Sequence, residues 1–438
     1  MLGLDMPSLR DSITKTPLYR TGGRLRSVTG LMTASVPAAV GDHCAILRRD
    51  GEPVLAECIG FENDLAYLVP FDHAEDLRPG MPVLRKGRGL MVPTGGNLLG
   101  RVVDGLGRPM DDLGPLGNCP MKPVNRPAPP ALNRQRIREP FVTGIRAIDG
   151  MLTCGVGQRV GIFAGSGVGK STLLGEIAKG SNADVNVIAL IGERGREVAP
   201  FLEDCLGAEG MARSVVVVAT CEQTPIMRVR ACQSAIAIAD HFRDGGANVL
   251  LMVDSLTRLA MAQRELGLLL GEPPSARGYT PSCFQVLANT IERLGNAAVG
   301  GITALLTVLV DGGDLDEPIS DSVRSLVDGH IVLDRKIAER GFYPAIDVSR
   351  SISRVATDVI DREHAMAARK FRSVLSTYAE VQDLIRIGAY VRGSSPQVDR
   401  AIELMPRIEK FLKQEPGERS GYDQTRQLLF QIAGAWPF

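Results

Sequence analysis

Ala164-Gly165-Ser166-Gly167-Val168-Gly169-Lys170-Ser171 follows the apolar run Val160, Ile162, Phe163 and precedes Leu173, Leu174 and Ile177 at helical spacing. A strand that turns through glycines into a helix is the setting in which a chain cradles a triphosphate. Gly165, Gly167 and Gly169 let the backbone curl until several N–H groups face one phosphate, and the helix adds its positive N-terminal end. Lys170 would reach the β- and γ-phosphates and Ser171 would ligate Mg²⁺, with Ser166, Val168 and Thr172 completing the nucleotide-contacting stretch. The strict pattern opens on glycine, whereas this chain has Ala164, a methyl group that ordinary strand-end dihedrals tolerate. The competing reading is a glycine-rich turn joining any strand to any helix.

Around this loop, from about Gly144 to Asp361, apolar runs alternate with helical patterns: Arg159–Ala164, 185–191, Ser214–Ala219, 248–253, 302–310 and 330–333. Such alternation predicts a mostly parallel sheet covered on both faces, with ligands at the carboxyl ends of its strands. Upstream, residues 22–91 carry short β-like runs separated by Gly, Asp and Pro, the pattern of a small barrel. Residues 93–140, rich in Gly and Pro, read as a wrapping connection. Downstream, Phe371, Val374, Leu375, Tyr378, Val381 and Leu384 mark one helical face, and Ser395-Pro396 caps a further helix through Val398, Ile402, Met405 and Phe411. The expected organisation is an N-terminal tail over 1–21 with Met6, Leu9 and Ile13 at helical spacing, a barrel over 22–91, a P-loop nucleotide-binding domain over 92–361 and a helical domain over 362–438.

The chain of 438 residues is 44% hydrophobic and 23% charged, which is ordinary for a globular protein. Fifty basic residues balance fifty acidic ones, against a protein that coats nucleic acid or an anionic membrane by bulk charge. The eight cysteines show no Cys-x-x-Cys pair and read as reduced, buried thiols of a cytoplasmic protein. The most apolar stretch, 302–310, falls far short of the roughly twenty residues of a membrane span.

Hydrolysis needs more than a cradle: a metal anchor, a group to position water and positive charge for the transition state. Asp254 ends the apolar run Val249–Val253, where its carboxylate would meet Mg²⁺ at the sheet's carboxyl edge. Glu193 follows the run ending at Ile191 and could polarise the attacking water, or could merely pair with Arg194 or Arg196. Arg258, one turn past Asp254, and the distant Arg350 and Arg354 are candidates for the positive charge, the distant ones suiting supply from a neighbouring subunit.

The stretches GERGREV (192–198), VLLMVDSLTRLAMAQRELGL (249–268), GEPPSARGYTPS (271–282), PISDSVRSLVDGHIVLDR (318–335) and FYPAIDVSRSISRV (342–355) together resemble the rotary ATPase family, and within it the flagellar protein export ATPases and their virulence type III secretion relatives. The resemblance implies Mg²⁺-dependent ATP hydrolysis, with Lys170 and Ser171 at phosphate and metal, Asp254 as the Walker B carboxylate and Glu193 as the catalytic carboxylate beside Arg194. It implies Arg258 as a γ-phosphate contact, Tyr343 stacked on adenine, and Arg354 rather than Arg350 as the finger reaching the next subunit's nucleotide. The family's second adenine-packing aromatic has no clear counterpart, and Tyr422 is only a guess for it. Similar proteins form six-membered rings on a central stalk, at the inner membrane's export gate, with regulators and chaperone–substrate complexes as partners. Since one chain carries both Glu193 and Arg354, such a ring can be homomeric. A ring helicase acting on RNA and a non-catalytic nucleotide-binding subunit are the alternatives. The first would interleave basic and aromatic residues in its barrel, where residues 22–91 hold only Phe61, Tyr67 and Phe71 as aromatics, so no nucleic-acid partner is expected.

Overall fold

The computed structural model describes residues 22–28, 31–49, 51–310 and 313–437, with Arg88 described by its backbone alone; the expected amphipathic tail over 1–21 lies outside the described residues. The chain divides into two compact units, one running to Leu90 and including Leu269–Gly271, the other formed by Met91–Leu268 and the chain from Glu272.

The first unit is a closed six-stranded barrel in the order Gly22–Ser27, Met32–Ala34, Leu65–Pro70, Val54–Glu62, Asp42–Ile46, Pro82–Arg88. Alternation along the strands turns Val54, Ala56 and Cys58 inward, opposite Ala66, Leu68, Cys44 and Ile46. The hairpin between two of these strands turns at Asn63 and Asp64, which both hold positive φ (45° and 61°), the backbone that a two-residue turn matching the strand twist requires. Inside, buried Asp42 accepts from Arg85 Nε at 2.6 Å and from the Ala39 N–H at 2.7 Å.

The second unit is built on a sheet whose main path runs Ile346–Ser353, Gly329–Leu333, Arg159–Ala164, Gly301–Leu309, Asn248–Asp254, Val185–Ile191, Ser214–Ala219, Val102–Asp104. Every pairing along this path is parallel except that of Ile346–Ser353, and Gly295–Asn296 adds a short antiparallel partner to Gly301–Leu309. Val185–Ile191 and Ser214–Ala219 are buried at every position, as parallel strands covered on both faces must be. The helix Pro225–Asp244 covers one face, presenting Ala231, Ala235 and Ala239 where the backbone lies close to the sheet; Thr224 caps its start and Pro225 supplies the pre-set first turn. Residues 93–140 depart from the expected simple connection, because Val102–Asp104 joins the sheet as its edge strand.

The register matters for function. Ala164 lies level with both Leu309 and Leu333, Leu190 with Asp254, and Ile191 with Ala219, so these strands end together at one carboxyl edge.

Three helices follow, Arg362–Arg386, Pro396–Leu412 and Tyr422–Gly434, with Phe371, Val374, Leu404, Ile408, Phe411, Leu429 and Trp436 in one core with the sheet. Ser395 caps the second, accepting from the Val398 N–H at 3.4 Å, and Pro396 opens it. The apolar face expected to run to Leu384 is fully buried only as far as Val374, with Leu375 and Tyr378 half-buried against the core, and Leu384 is exposed because the long first helix outruns the core it packs on; Ile387 and Val391, just past the helix, are exposed too. Among the described residues no helix is long and apolar enough to cross a membrane. Five cysteines are buried, and burial pushes the Cys44 and Cys154 thiols up to about 12, which keeps them protonated and inert; Cys221 departs from the expected burial and is exposed.

Buried His364 donates from Nε2 to the Gly150 carbonyl at 2.9 Å, and burial holds its imidazole below the usual range. The unfolded chain takes up a proton near pH 6.5 that the fold resists, so this histidine's contribution is complete above that pH and is lost on acidification. His364→Asn should therefore lower Tm near pH 7.5 yet flatten its decline between about pH 7 and about pH 5.5. Equal acid slopes in parent and variant would refute this.

Candidate nucleotide site

Gly167 and Gly169 take φ of 77° and 83°, left-handed values that let the loop fold over without a side chain, and Lys170 begins the helix Lys170–Gly180 immediately after. Val168 is buried in the core and anchors the loop, while Ser166, Ser171 and Thr172 are exposed at its mouth. Ala164 is an ordinary strand residue paired on both sides, which explains why a methyl group is accepted where the strict pattern has glycine.

At the carboxyl edge, Lys170 Nζ hydrogen-bonds Asp254 Oδ1 and lies 3.6 Å from Glu193 Oε1. Asp254 is buried and also accepts from Thr307 Oγ1 at 2.8 Å, a contact from the neighbouring strand with no local sequence signal. Burial, then the nearby Asp254 charge, raises the Glu193 carboxyl to about 7, against the opposing pull of Lys170. The Glu193 loop is pinned to the next strand: the Gly192 N–H donates to the Ala219 carbonyl at 2.6 Å and the Cys221 N–H to the Glu193 carbonyl at 2.9 Å.

Arg258 stands in the first turn of the helix Leu256–Leu269, its stem packed on Gly192, and its buried Nε has no hydrogen-bond partner among the described residues. A buried donor left over beside an ammonium, two carboxylates and a glycine loop fits an anionic ligand. Beside the loop lies a cavity of about 450 Å³ lined by Gly167, Gly169, Thr172, Ile145, Tyr343 and Gln414 among others. The Tyr343 ring rests on Gly169, where a Cβ would lie 3.2 Å from its edge.

Two of the expected residues stand apart. Arg194 is exposed and pairs with Glu197 at 3.4 Å. Arg354 follows the strand Ile346–Ser353 at Ser353, which lies opposite Gly329, the start of its neighbour, whereas the cradle lies at the level of Leu333. That places Arg354 at the amino edge, about 13 Å along the strands from the carboxyl edge, where it donates to the Val327 and Arg324 carbonyls at 3.2 Å each. Arg350 pairs instead with Asp334 at 3.5 Å. Tyr422 is not in the cavity: its hydroxyl approaches His364 Nδ1 at 3.5 Å, and the wall facing Tyr343 comes from Gln414, Glu415 and Pro416, with no aromatic.

Three family models match the chain: the ATP synthase alpha/beta family nucleotide-binding domain over residues 144–353, the beta-barrel domain of that family over 27–87, and the T3SS EscN ATPase C-terminal domain over 360–431. The flagellum-specific ATP synthase of Bacillus subtilis (strain 168) is 49% identical over 432 residues, covering 98% of each chain. The chain belongs to the ATP synthase alpha/beta family, in its flagellar and type 3 secretion branch. The type 3 secretion system ATPase of Xanthomonas euvesicatoria is 46% identical, covering 97% of each chain. Among solved structures, the assembled ATPase EscN of the enteropathogenic E. coli type III secretion system superimposes with a TM-score of 0.88 at 42% identity, over 94% of this chain and 100% of that one. EscN in complex with its central stalk EscO gives 0.87 at 43% identity, with the same coverage.

In this secretion-branch ATPase the Gly192 backbone, at φ 70°, carries Glu193 on one side and supports Arg258 on the other, and an added Cβ would lie 2.8 Å from the Arg258 Cβ. Gly192→Ala should cut nucleotide turnover more than about tenfold with less than about 2 kcal/mol lost in global stability. A variant as active as the parent would show that the two side chains need no common support.

Proposed function

We propose that the chain hydrolyses Mg²⁺-ATP and uses the energy for protein export through the bacterial flagellar type III apparatus. The observation that carries the reading is the Lys170–Asp254–Glu193 cluster at the mouth of the glycine loop, in a chain 49% identical to a flagellum-specific ATP synthase. A virulence secretion ATPase is the alternative, favoured by the 46% identity to the Xanthomonas protein. The working form is a ring of identical copies, six on the family's pattern, cytoplasmic and peripheral to the inner membrane, with a stalk protein, a regulator, chaperone–substrate complexes and the export gate as partners.

In the mechanism, backbone N–H groups of residues 165–172 and Lys170 bind the phosphates, and Tyr343 packs on the base. Ser171 and Asp254 offer the hard oxygen donors that suit Mg²⁺, an ion that when bound neutralises charge on the β- and γ-phosphates. Lys170, relieved of its carboxylate partners, turns to the γ-phosphate, and Arg258 supplies a second cation at the same edge. Glu193, once freed of its proton, orients the attacking water and takes up its proton. Arg354 cannot serve its own cradle from the amino edge; a neighbour's copy supplies the finger, and Arg194 lies on the surface available to that neighbour.

Glu193→Gln should retain ATP binding and lose hydrolysis by about a hundredfold or more, and Arg354→Ala should be similarly inactive. Mixing the two inactive variants tests the shared site. In mixed rings an Arg354→Ala protomer whose finger-donating neighbour is a Glu193→Gln protomer has both groups intact at its site, so turnover should reappear on mixing. Silence of the mixture, with rings shown to exchange, would exclude completion in trans. Because Glu193 works as a base and sits near 7, kcat/KM should rise with pH through about 7, and a profile flat across that range would remove it from the role.

A further inference from the structure

Opposite Tyr343, the cavity is closed by the loop that leaves the helix Pro396–Leu412, and this loop is fastened on three sides. Gln414 is buried and its amide is fully engaged: Nε2 donates to the Gly144 carbonyl at 2.8 Å and to the Glu418 carbonyl at 2.5 Å, and Oε1 accepts from the Arg146 N–H at 2.9 Å. The Gln414 backbone N–H donates to the Tyr343 carbonyl at 2.9 Å, joining the two walls of the cavity directly. Buried Arg146 donates from Nε to the Phe411 carbonyl at 2.9 Å and from Nη2 to the Lys413 carbonyl, and it pairs with Glu418. Its cation thus sits on the negative end of the helix. From the cradle side, Glu176 of the helix Lys170–Gly180 accepts from the Gly417 N–H at 3.1 Å.

We propose that Gln414 is the positioning residue of the base-binding wall. It sets the gap between Tyr343 and the loop Gln414–Glu418, so that affinity for the purine portion of the nucleotide depends on how the C-terminal helices are seated, while the phosphate groups are handled away from that wall, by the glycine loop with Lys170 and by Arg258. The inference rests on the nucleotide reading above. Its chemistry is direct: an apolar side chain of the same length would leave the Glu418 carbonyl and the Arg146 N–H without their Gln414 partner and the Gly144 carbonyl with only the long 3.4 Å bond from the Ser420 N–H, and the loop would move to find water.

The test is Gln414→Met, which keeps volume and loses every side-chain hydrogen bond. Equilibrium binding of an imido-bridged, non-hydrolysable Mg-ATP analogue should weaken about tenfold, while binding of Mg-tripolyphosphate, which has no base, should change less than about twofold. The KM for ATP should rise in parallel with the analogue's Kd, with kcat at saturation within about threefold of the parent. Tripolyphosphate binding also reports that the cradle is folded. Equal weakening of both ligands, or no weakening of either, overturns the proposal. Absence of ATP turnover by the parent chain overturns the proposed function alone, because the ratio of the two affinities is read without turnover.

Discussion

One ammonium group held against two carboxylates organises the carboxyl edge of the sheet. Lys170 lies at hydrogen-bonding distance from Asp254 and close to Glu193, and each of the three is delivered by a different segment: a glycine loop, a strand end and a loop pinned to the next strand. Taken singly, a buried carboxylate would be costly, and Glu193 shows it in the upward displacement that burial and Asp254 impose. Together the charges are tolerable, and the arrangement is poised. On the proposed reading an incoming polyanion would compete for the ammonium, and a divalent cation would replace it at Asp254.

Level strand ends make this meeting possible. Had the register of Asn248–Asp254 slipped by one residue against Val185–Ile191, Asp254 would face the other side of the sheet. The long run of fully buried β-branched residues resists such a slip, and the helix Pro225–Asp244 seals one face with small side chains. The core thus does more than hold the fold: it fixes the distances at the edge.

Much of this was legible in the residues themselves, for a physical reason. The cradle is local, eight adjacent positions with a strand before and a helix after, and Asp254 and Glu193 advertise themselves by terminating apolar runs. Strands of continuous Val, Ile and Leu declare their own limits almost to the residue. Val102–Asp104 was hidden because three residues carry no periodicity, and the strand Ile346–Ser353 because an antiparallel edge strand reads as polar. Thr307 and Gln414 could not be found at all. Their partners lie far off in sequence, in Asp254 for the one and Gly144, Arg146 and Tyr343 for the other, so only the tertiary fold makes them neighbours. The apolar stripe of the first C-terminal helix continues in the sequence to Leu384, which is exposed, since a helical stripe records what could be covered, not what this chain covers.

Arg354 and the cradle occupy opposite margins of one sheet. On the proposed reading, dilution is itself an off-switch. A newly made copy adrift in the cell holds its fuel without burning it, and ignition waits on a crowd of siblings, so where the copies gather decides where the fuel is spent.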